Sequence, residues 1–454
     1  MATTYLSATQ STPTNNIKWT WSSWIKRGAV NSGAVEYIFT TYVDASNYFN
    51  IGFSSSDQLD IYNYVSGSDS GRLVTTRVFS DIVAWYNVVV VYDSANGAAG
   101  DRMKLYINGV EETVFSTDTN PSSSQACIMN ADTRVVELGR RSDASTNFSG
   151  VLAHTHFADG QAYAPTVFGE VDSTSGIWVA KSGPSVTYGN NGYFLKYASG
   201  ALGTDSSGNS NDFVVSGTMT TTKDNPDNNF AVMNLLVSSA SRVLGTYTNA
   251  NTTFVTTASN YLPTCATVGL IAGLWYFEAK QTQKASTQEI VLGISGDQYT
   301  VDYGGTGYYL GYYPMEHGMY MGNGNSYTNA TGTSYGSASA QDDILGCYID
   351  LTALKLYFAI NGTIQNSGTG ITITPVADTR STMWVPAISG WSGDQQTIEF
   401  NFGNGYFGTD VISGAVADAG GEGQFKYNPS TGTFDSASKD FRAICTNNLA
   451  TYGG

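Results

Sequence analysis

Lys104-Leu105-Tyr106-Ile107-Asn108-Gly109 and Lys355-Leu356-Tyr357-Phe358-Ala359-Ile360-Asn361-Gly362 are two versions of one short phrase. Each reads as a β-strand running into Asn-Gly, the pair that supplies the two positive φ values of a tight hairpin turn. Each follows a strand with an acidic end, Val88-Val89-Val90-Val91-Tyr92-Asp93 in the first case and Gly346-Cys347-Tyr348-Ile349-Asp350 in the second. Two such hairpins about 250 residues apart, each set among further strand-like sequence, predict an all-β chain of two jelly-roll-like sandwiches in tandem.

The composition agrees. Of 454 residues only 13% are charged, against the usual roughly 25%, while 30 are tyrosine and 50 glycine. With 41% hydrophobic residues and a polar remainder of Ser, Thr, Asn and Gly, disorder is excluded. Many short strands joined by tight turns use this mixture, and so do binding loops in which rigid rings meet small polar groups. A net charge of −16 argues against a nucleic-acid partner, which calls for a basic stripe. Four separated cysteines (Cys127, Cys265, Cys347, Cys445) and three histidines support neither a disulfide framework nor a zinc site. Met1-Ala2-Thr3-Thr4-Tyr5-Leu6-Ser7 has no basic n-region or apolar h-region, which predicts folding in a cytoplasm. No apolar run approaches the 18 or so residues of a membrane span.

Along the chain, Trp19-Thr20-Trp21-Ser22-Ser23-Trp24-Ile25 alternates so that Trp19 and Trp21 face one way. Strands follow around Tyr48–Phe53, Gln58–Tyr62, Trp85–Tyr92, Val135–Arg140 and Phe148–Ala153. This order resembles the laminin-G/concanavalin-A-like lectin superfamily, through the Trp-rich first strand, the Trp85 strand ending in Asp93, the Asn108-Gly109 hairpin, Leu138-Gly139-Arg140 and Phe148-Ser149-Gly150. Residues 166–235 read as an ordered, β-rich connector containing Asp205-Ser206-Ser207-Gly208-Asn209-Ser210-Asn211-Asp212. That stretch looks like a turn common in laminin-G-like modules. Asp205, Asn209 and Asp212 either place three oxygen ligands for a calcium ion or cap their own backbone as stacked Asx turns.

From about Leu270 the strands Trp275–Ala279, Ile290–Ile294, Tyr308–Tyr312, Asp343–Leu351, Leu356–Phe358, Val385–Ile388 and Ile398–Gly403 follow one another. The aspartate before an apolar-Gly-Cys strand, the aromatic strand into Asn-Gly and the closing Asn401-Phe402-Gly403 resemble the SPRY (B30.2) domain. The domains expected are therefore 1–165, the connector 166–235, a second sandwich 236–408 and a C-terminal extension 409–454. The whole order resembles structural and fibre proteins of tailed bacteriophages.

Concanavalin-A-like sandwiches include glycoside hydrolases, whose catalytic strand carries spaced carboxylates. Glu170-Val171-Asp172 begins such a pattern, but Ser173, Thr174 and Ser175 follow where the second glutamate belongs. His154 and His156 alternate without a third ligand, which makes them structural. No catalytic site is expected. The richest surface is Tyr299–Tyr327, with eight tyrosines interrupted by glycines. Alternation should send half of them into the core and leave the rest for stacking on a ligand. Tyr309, Tyr313 and Trp391, with Asp394 as polar partner, are the expected contacts.

The resemblance implies a non-enzymatic virion surface protein: a tail fibre, appendage or head decoration, made in the host cytoplasm. Its expected partners are other virion proteins and a host-surface glycan or protein, and its assembly a homo-oligomer with a trimer favoured. The alternatives are a polysaccharide depolymerase and a purely architectural virion protein.

Overall fold

In the computed structural model, residues 4–30, 32–144, 146–173, 175–235, 245–256, 262–284, 289–296, 309–375, 383–391 and 395–453 are described. Asp394 lies outside them. The chain divides into two compact units, Met1–Thr221 and Thr222–Gly454. Both are β-sandwiches, and Thr446–Tyr452 is the one α-helix among the described residues.

The first unit packs an eight-stranded sheet on a six-stranded sheet. Lys18–Arg27 lies between Trp85–Asp93 and Gly150–Asp159, paired antiparallel with both. Its alternation buries Trp19, Trp21 and Ile25 in the space between the sheets. Trp21 stacks on Phe39 of the opposite sheet at 5.7 Å, and Trp19 meets Phe49 edge-on at 5.5 Å. Rings of this size bury the most area per residue, so they carry much of the inter-sheet adhesion.

Residues 166–221 belong to this sandwich, a correction to the connector read from composition. Tyr193–Leu195 pairs with Thr155–Phe157 in one sheet, and Val214–Ser216 pairs with Tyr5–Ser7 in the other. Ahead of these strands in the chain, Tyr163, Val167, Phe168 and Val186 pack on Val89, Val91 and Tyr106, covering the outer face of the six-stranded sheet. Polar composition concealed this because strands of three residues have no readable period.

The second unit packs a nine-stranded sheet on a six-stranded one. At the centre of the first, Leu274–Gln283 pairs with Ile344–Asp350 on one side and Thr397–Asn401 on the other. Phe277, Ile349, Phe358, Leu292, Met319 and Ile388 fill the core between the sheets. The extension predicted from residue 409 is instead a third layer. Arg442–Ala443 adds to Leu274–Gln283 in parallel, and Phe425, Phe434 and Phe441 cover Tyr276, Tyr348 and Tyr357 on the sheet's other face.

Under that layer Glu278 is fully buried. It accepts hydrogen bonds from the Tyr276 hydroxyl, the Asn401 amide and the backbone N–H groups of Lys426 and Tyr427. Burial nevertheless pushes its carboxyl up to about 7. Of these four partners only the Tyr276 hydroxyl can also accept, so a proton taken up at Oε1 has one place to point.

Candidate functional site

The tyrosine-rich stretch is where structure and sequence reading diverge most. Residues 299–308 lie outside the described residues, and Tyr309–Tyr312 is an irregular strap, not a strand. It crosses the outer face of the six-stranded sheet of the second unit. Leu310 anchors it by packing on Cys265, Val291, Val385 and Ala387. Two polar side chains fix its backbone: Ser389 Oγ accepts from the Leu310 N–H at 2.8 Å, and Glu316 Oε2 accepts from the Gly311 and Tyr313 N–H groups at 3.1 Å each. Gly311, at φ +95°, presses on Tyr327, where a Cβ would come within 2.7 Å of that residue.

The rings this strap carries meet others from the sheet. Tyr309 stands edge-to-face with Tyr312 at 5.8 Å and with Tyr327 at 5.3 Å, and Tyr327 meets Tyr320 at 6.1 Å. Tyr309, Tyr312, Tyr313, Tyr320 and Tyr327 are all half-buried. The expected sorting into core and surface rings does not occur among them, because the strap lacks strand periodicity. Tyr313 also packs against the main core, so it serves the scaffold. Trp391 ends the strand Trp384–Trp391, its backbone opposite Glu289.

Glu316 is buried, and burial pushes its carboxyl up to about 7 against the hydrogen bonds from the strap. Next to it, His317 is held neutral, its pKa lowered to about 4 by burial. Its Nδ1 lies 3.0 Å from the Thr328 hydroxyl, and its Nε2 accepts from the Thr374 N–H at 3.3 Å. On the side of Asn325–Thr328 away from Tyr327, Ser326 and Thr328 line a recess of about 320 Å³ with Thr331, Thr333, Asn366 and Thr372. One hairpin thus carries rings on one face and hydroxyls on the other. Glu316 and Ser389 were not legible as site residues, since nothing in the sequence shows that they meet the strap.

The other sequence candidates have structural partners. Asp205 Oδ1 accepts from the Phe194 and Ser207 N–H groups, and its Oδ2 from the Ser207 hydroxyl and the Asn211 N–H. Asp212 accepts from the Asp205 N–H, and Asn209 donates to the carbonyls of Gly189 and Gly192. That is a stack of Asx-type turns riveting the turn to the sheet. Among the described residues, no three His, Cys, Asp or Glu side chains gather as a metal-holding group. His154 and His156 sit at a bulge, with His156 stacked 3.9 Å from Phe194 and bonded to the Tyr188 hydroxyl. Asp172 caps Ser175 in an outer hairpin. All four cysteines are buried, and none is in a disulfide.

Comparison with known proteins places two modules on this chain. Residues 1–167 match the Laminin_G_3 family, described as the concanavalin A-like lectin/glucanases superfamily, and residues 274–405 match the SPRY domain. Among solved structures, a human SPRY domain is similar at 18% identity, covering 33% of this chain and 90% of its own, with a TM-score of 0.25. A heptameric SAP-like pentraxin from Limulus polyphemus is similar at 17% identity, covering 48% of this chain and 89% of its own, with a TM-score of 0.31. No curated protein matched the chain. The protein therefore carries a concanavalin A-like lectin-fold module followed by a SPRY domain.

Proposed function

We propose that this protein is a non-enzymatic recognition component of a bacteriophage particle, displayed on the virion surface as a tail fibre, appendage or head decoration, and that it adheres to a host-surface glycan. The observation that carries the adhesive reading is the strap at Tyr309–Pro314, whose backbone is locked by Glu316 and Ser389 while its rings stay half-exposed. A preorganised aromatic surface binds without the cost of ordering a loop. The phage setting rests on the order of modules along the sequence and on the laminin-G-like turn between them.

Catalysis is disfavoured because the buried carboxylates described above are engaged by the chain. Glycoside hydrolysis needs two carboxyl groups facing each other across a cleft, whereas Glu278 and Glu316 lie in different sheets and each holds backbone N–H groups. We place the protein with other virion proteins as neighbours and favour a homotrimer, which sedimentation of the purified chain reads directly.

Tyr309→Ala and Trp391→Ala should each weaken adsorption to host cells roughly tenfold, the weight of one stacked ring at an interface, with the melting temperature unchanged. Incubation with host envelope polysaccharide should show saturable binding and no released oligosaccharide. Released oligosaccharide would establish a depolymerase instead, and mass spectrometry of purified virions that fails to find the chain would remove it from the particle.

A further inference from the structure

The inward face of the six-stranded sheet in the second unit changes character at one edge. Register carries two rows of side chains across it. In one, Ile388, Leu292 and Met319 of the core are followed by Ser326 and then Thr333; in the other, Ile294 and His317 are followed by Thr328 and then Thr331. Side chains in one row share a face, so the hydroxyls of the last two strands, Asn325–Thr328 and Thr331–Ser334, stand on the core side of the sheet. A closed sandwich fills that position with aliphatic side chains from both sheets. Here four hydroxyls take their place, and the recess of about 320 Å³ parts the two sheets at this seam. Thr372 walls it from the nine-stranded sheet and Asn366 from the turn leading there, while Tyr335 and Ile371, packed against the core, supply an apolar part.

Hydrogen bonds within the wall sort its hydroxyls into donors and acceptors. His317 Nε2 accepts from the Thr374 N–H, so the ring proton sits on Nδ1 and is donated to the Thr328 oxygen. The Thr328 proton is then left to donate. Thr372 is in the same state, since its oxygen accepts from Lys355 Nζ at 3.0 Å. Thr331 and Ser326 are the reverse. Their protons go to the carbonyls of Asn329 and Thr333, at 3.3 and 3.4 Å, and their oxygens are left to accept. Among the described residues that line the recess, none is charged. The charged groups bonded to that lining are one of each sign, Lys355 on Thr372 and Asp435 on the Gly370 N–H.

We infer that this recess is a binding site for a single neutral sugar ring. Ligand pockets run from about 300 to 1,000 Å³. This one lies at the small end of that range, which suits one ring and not a chain of them. An apolar ligand would displace water from the wall and leave its hydroxyls unpaired. A sugar hydroxyl both donates and accepts, so one ring can take the protons of Thr328 and Thr372 and serve the oxygens of Ser326 and Thr331 together. The C–H groups of the same ring have Tyr335 and Ile371 to meet. With the two nearby charges opposed, the wall offers a carboxylate or phosphate no net attraction. The recess lies on the face of the hairpin away from Tyr327, so a sugar held there does not compete for the rings of the Tyr309 strap.

This second site rests on the adhesive reading only for its biological use; its chemistry stands alone. Saturation-transfer NMR on the full chain, with free neutral hexoses and N-acetylhexosamines as probes and hexuronic acids as charged controls, should show transfer to the neutral sugars. Thr331→Val combined with Thr333→Val keeps the shape of the wall, removes two hydroxyls and should weaken that binding about fivefold or more. Thr333→Trp, which fills the recess, should abolish it. Both positions are exposed, so thermal unfolding should not move. Tyr309→Ala should leave monosaccharide binding intact while weakening adsorption to cells, which separates a failure here from a failure of the strap. The inference is overturned if no neutral sugar binds, if only the hexuronic acids bind, if the Thr331 and Thr333 variants bind as well as the parent, or if Tyr309→Ala removes the binding.

Discussion

Asn108 and Asn361 do more than turn the chain. Both sit at φ near +50°, followed by glycines at +79° and +78°. Each also caps the strand before its own: Asn108 Oδ1 accepts from the Asn87 N–H at 2.8 Å, and Asn361 Oδ1 from the Ile344 N–H at 3.0 Å. The glycines carry a second constraint, because a Cβ on Gly109 would fall 2.5 Å from the Trp178 ring and one on Gly362 would fall 2.6 Å from Tyr427. Asn108→Ala and Asn361→Ala should each cost about 1–2 kcal/mol, through the lost hydrogen bond and the strained φ. Gly362→Ala should cost more, since it adds a clash to the strain. Urea denaturation of the three variants gives the order, and equal costs for Asn and Gly would show that the ring moves freely aside.

Among the elements, the Asp205 turn and the Glu316 strap use the same device, a carboxylate that gathers backbone N–H groups of an irregular segment and pins it to a sheet. Asp205→Ala strands the Phe194, Ser207 and Asn211 donors and should destabilise the first unit by roughly 2–4 kcal/mol. With its own hydrogen bonds holding the turn, the parent should melt at the same temperature in calcium and in a calcium chelator. A rise with calcium would mean that the ion replaces those bonds. The strap was misread as a strand for a physical reason: its tyrosines and glycines suit a strand, and only Leu310 in its pocket and Glu316 beneath it impose another path.

For the molecule as a whole, buried titratable groups give the two units opposite responses to pH. His156, in the first unit, is held neutral with its pKa lowered to about 3 by burial. The unfolded chain therefore binds the extra proton between about 3 and the ordinary 6.5, and the stability tied to His156 is lost as pH falls through that window. Glu36, raised by burial beside Arg27, opposes this in part. In the second unit Glu278 and Glu316 are raised to about 7, so the folded state binds the extra protons between 4.5 and 7. Their contribution is full below 4.5 and lost as pH rises to 7, with His317, lowered to about 4, offsetting one of the two. Calorimetry of the full chain at pH 5 and pH 7 should show the first unit weaker and the second stronger at pH 5. Transitions that move together would show that these groups do not govern the profile.

The sequence by itself determined the all-β class, the two Asn-Gly hairpins and the inward-facing tryptophans, because each depends on local turn chemistry or on a period of two that survives in a short window; the two kinds of module were legible only through the resemblance of their motifs to known families. It also placed the tyrosine-rich stretch at the surface to be considered first. Tertiary structure alone decided what covers each sheet: that residues 166–221 complete the first sandwich, that the C-terminal residues lay a third layer over Glu278, and that Arg141 lies over Tyr37 and Tyr48 on the outer face of the eight-stranded sheet. Those facts depend on strand order and register, which join residues far apart in the chain. A three-residue strand or a lone arginine carries no local pattern to announce its partner, so their roles emerged only once the sheets were assembled.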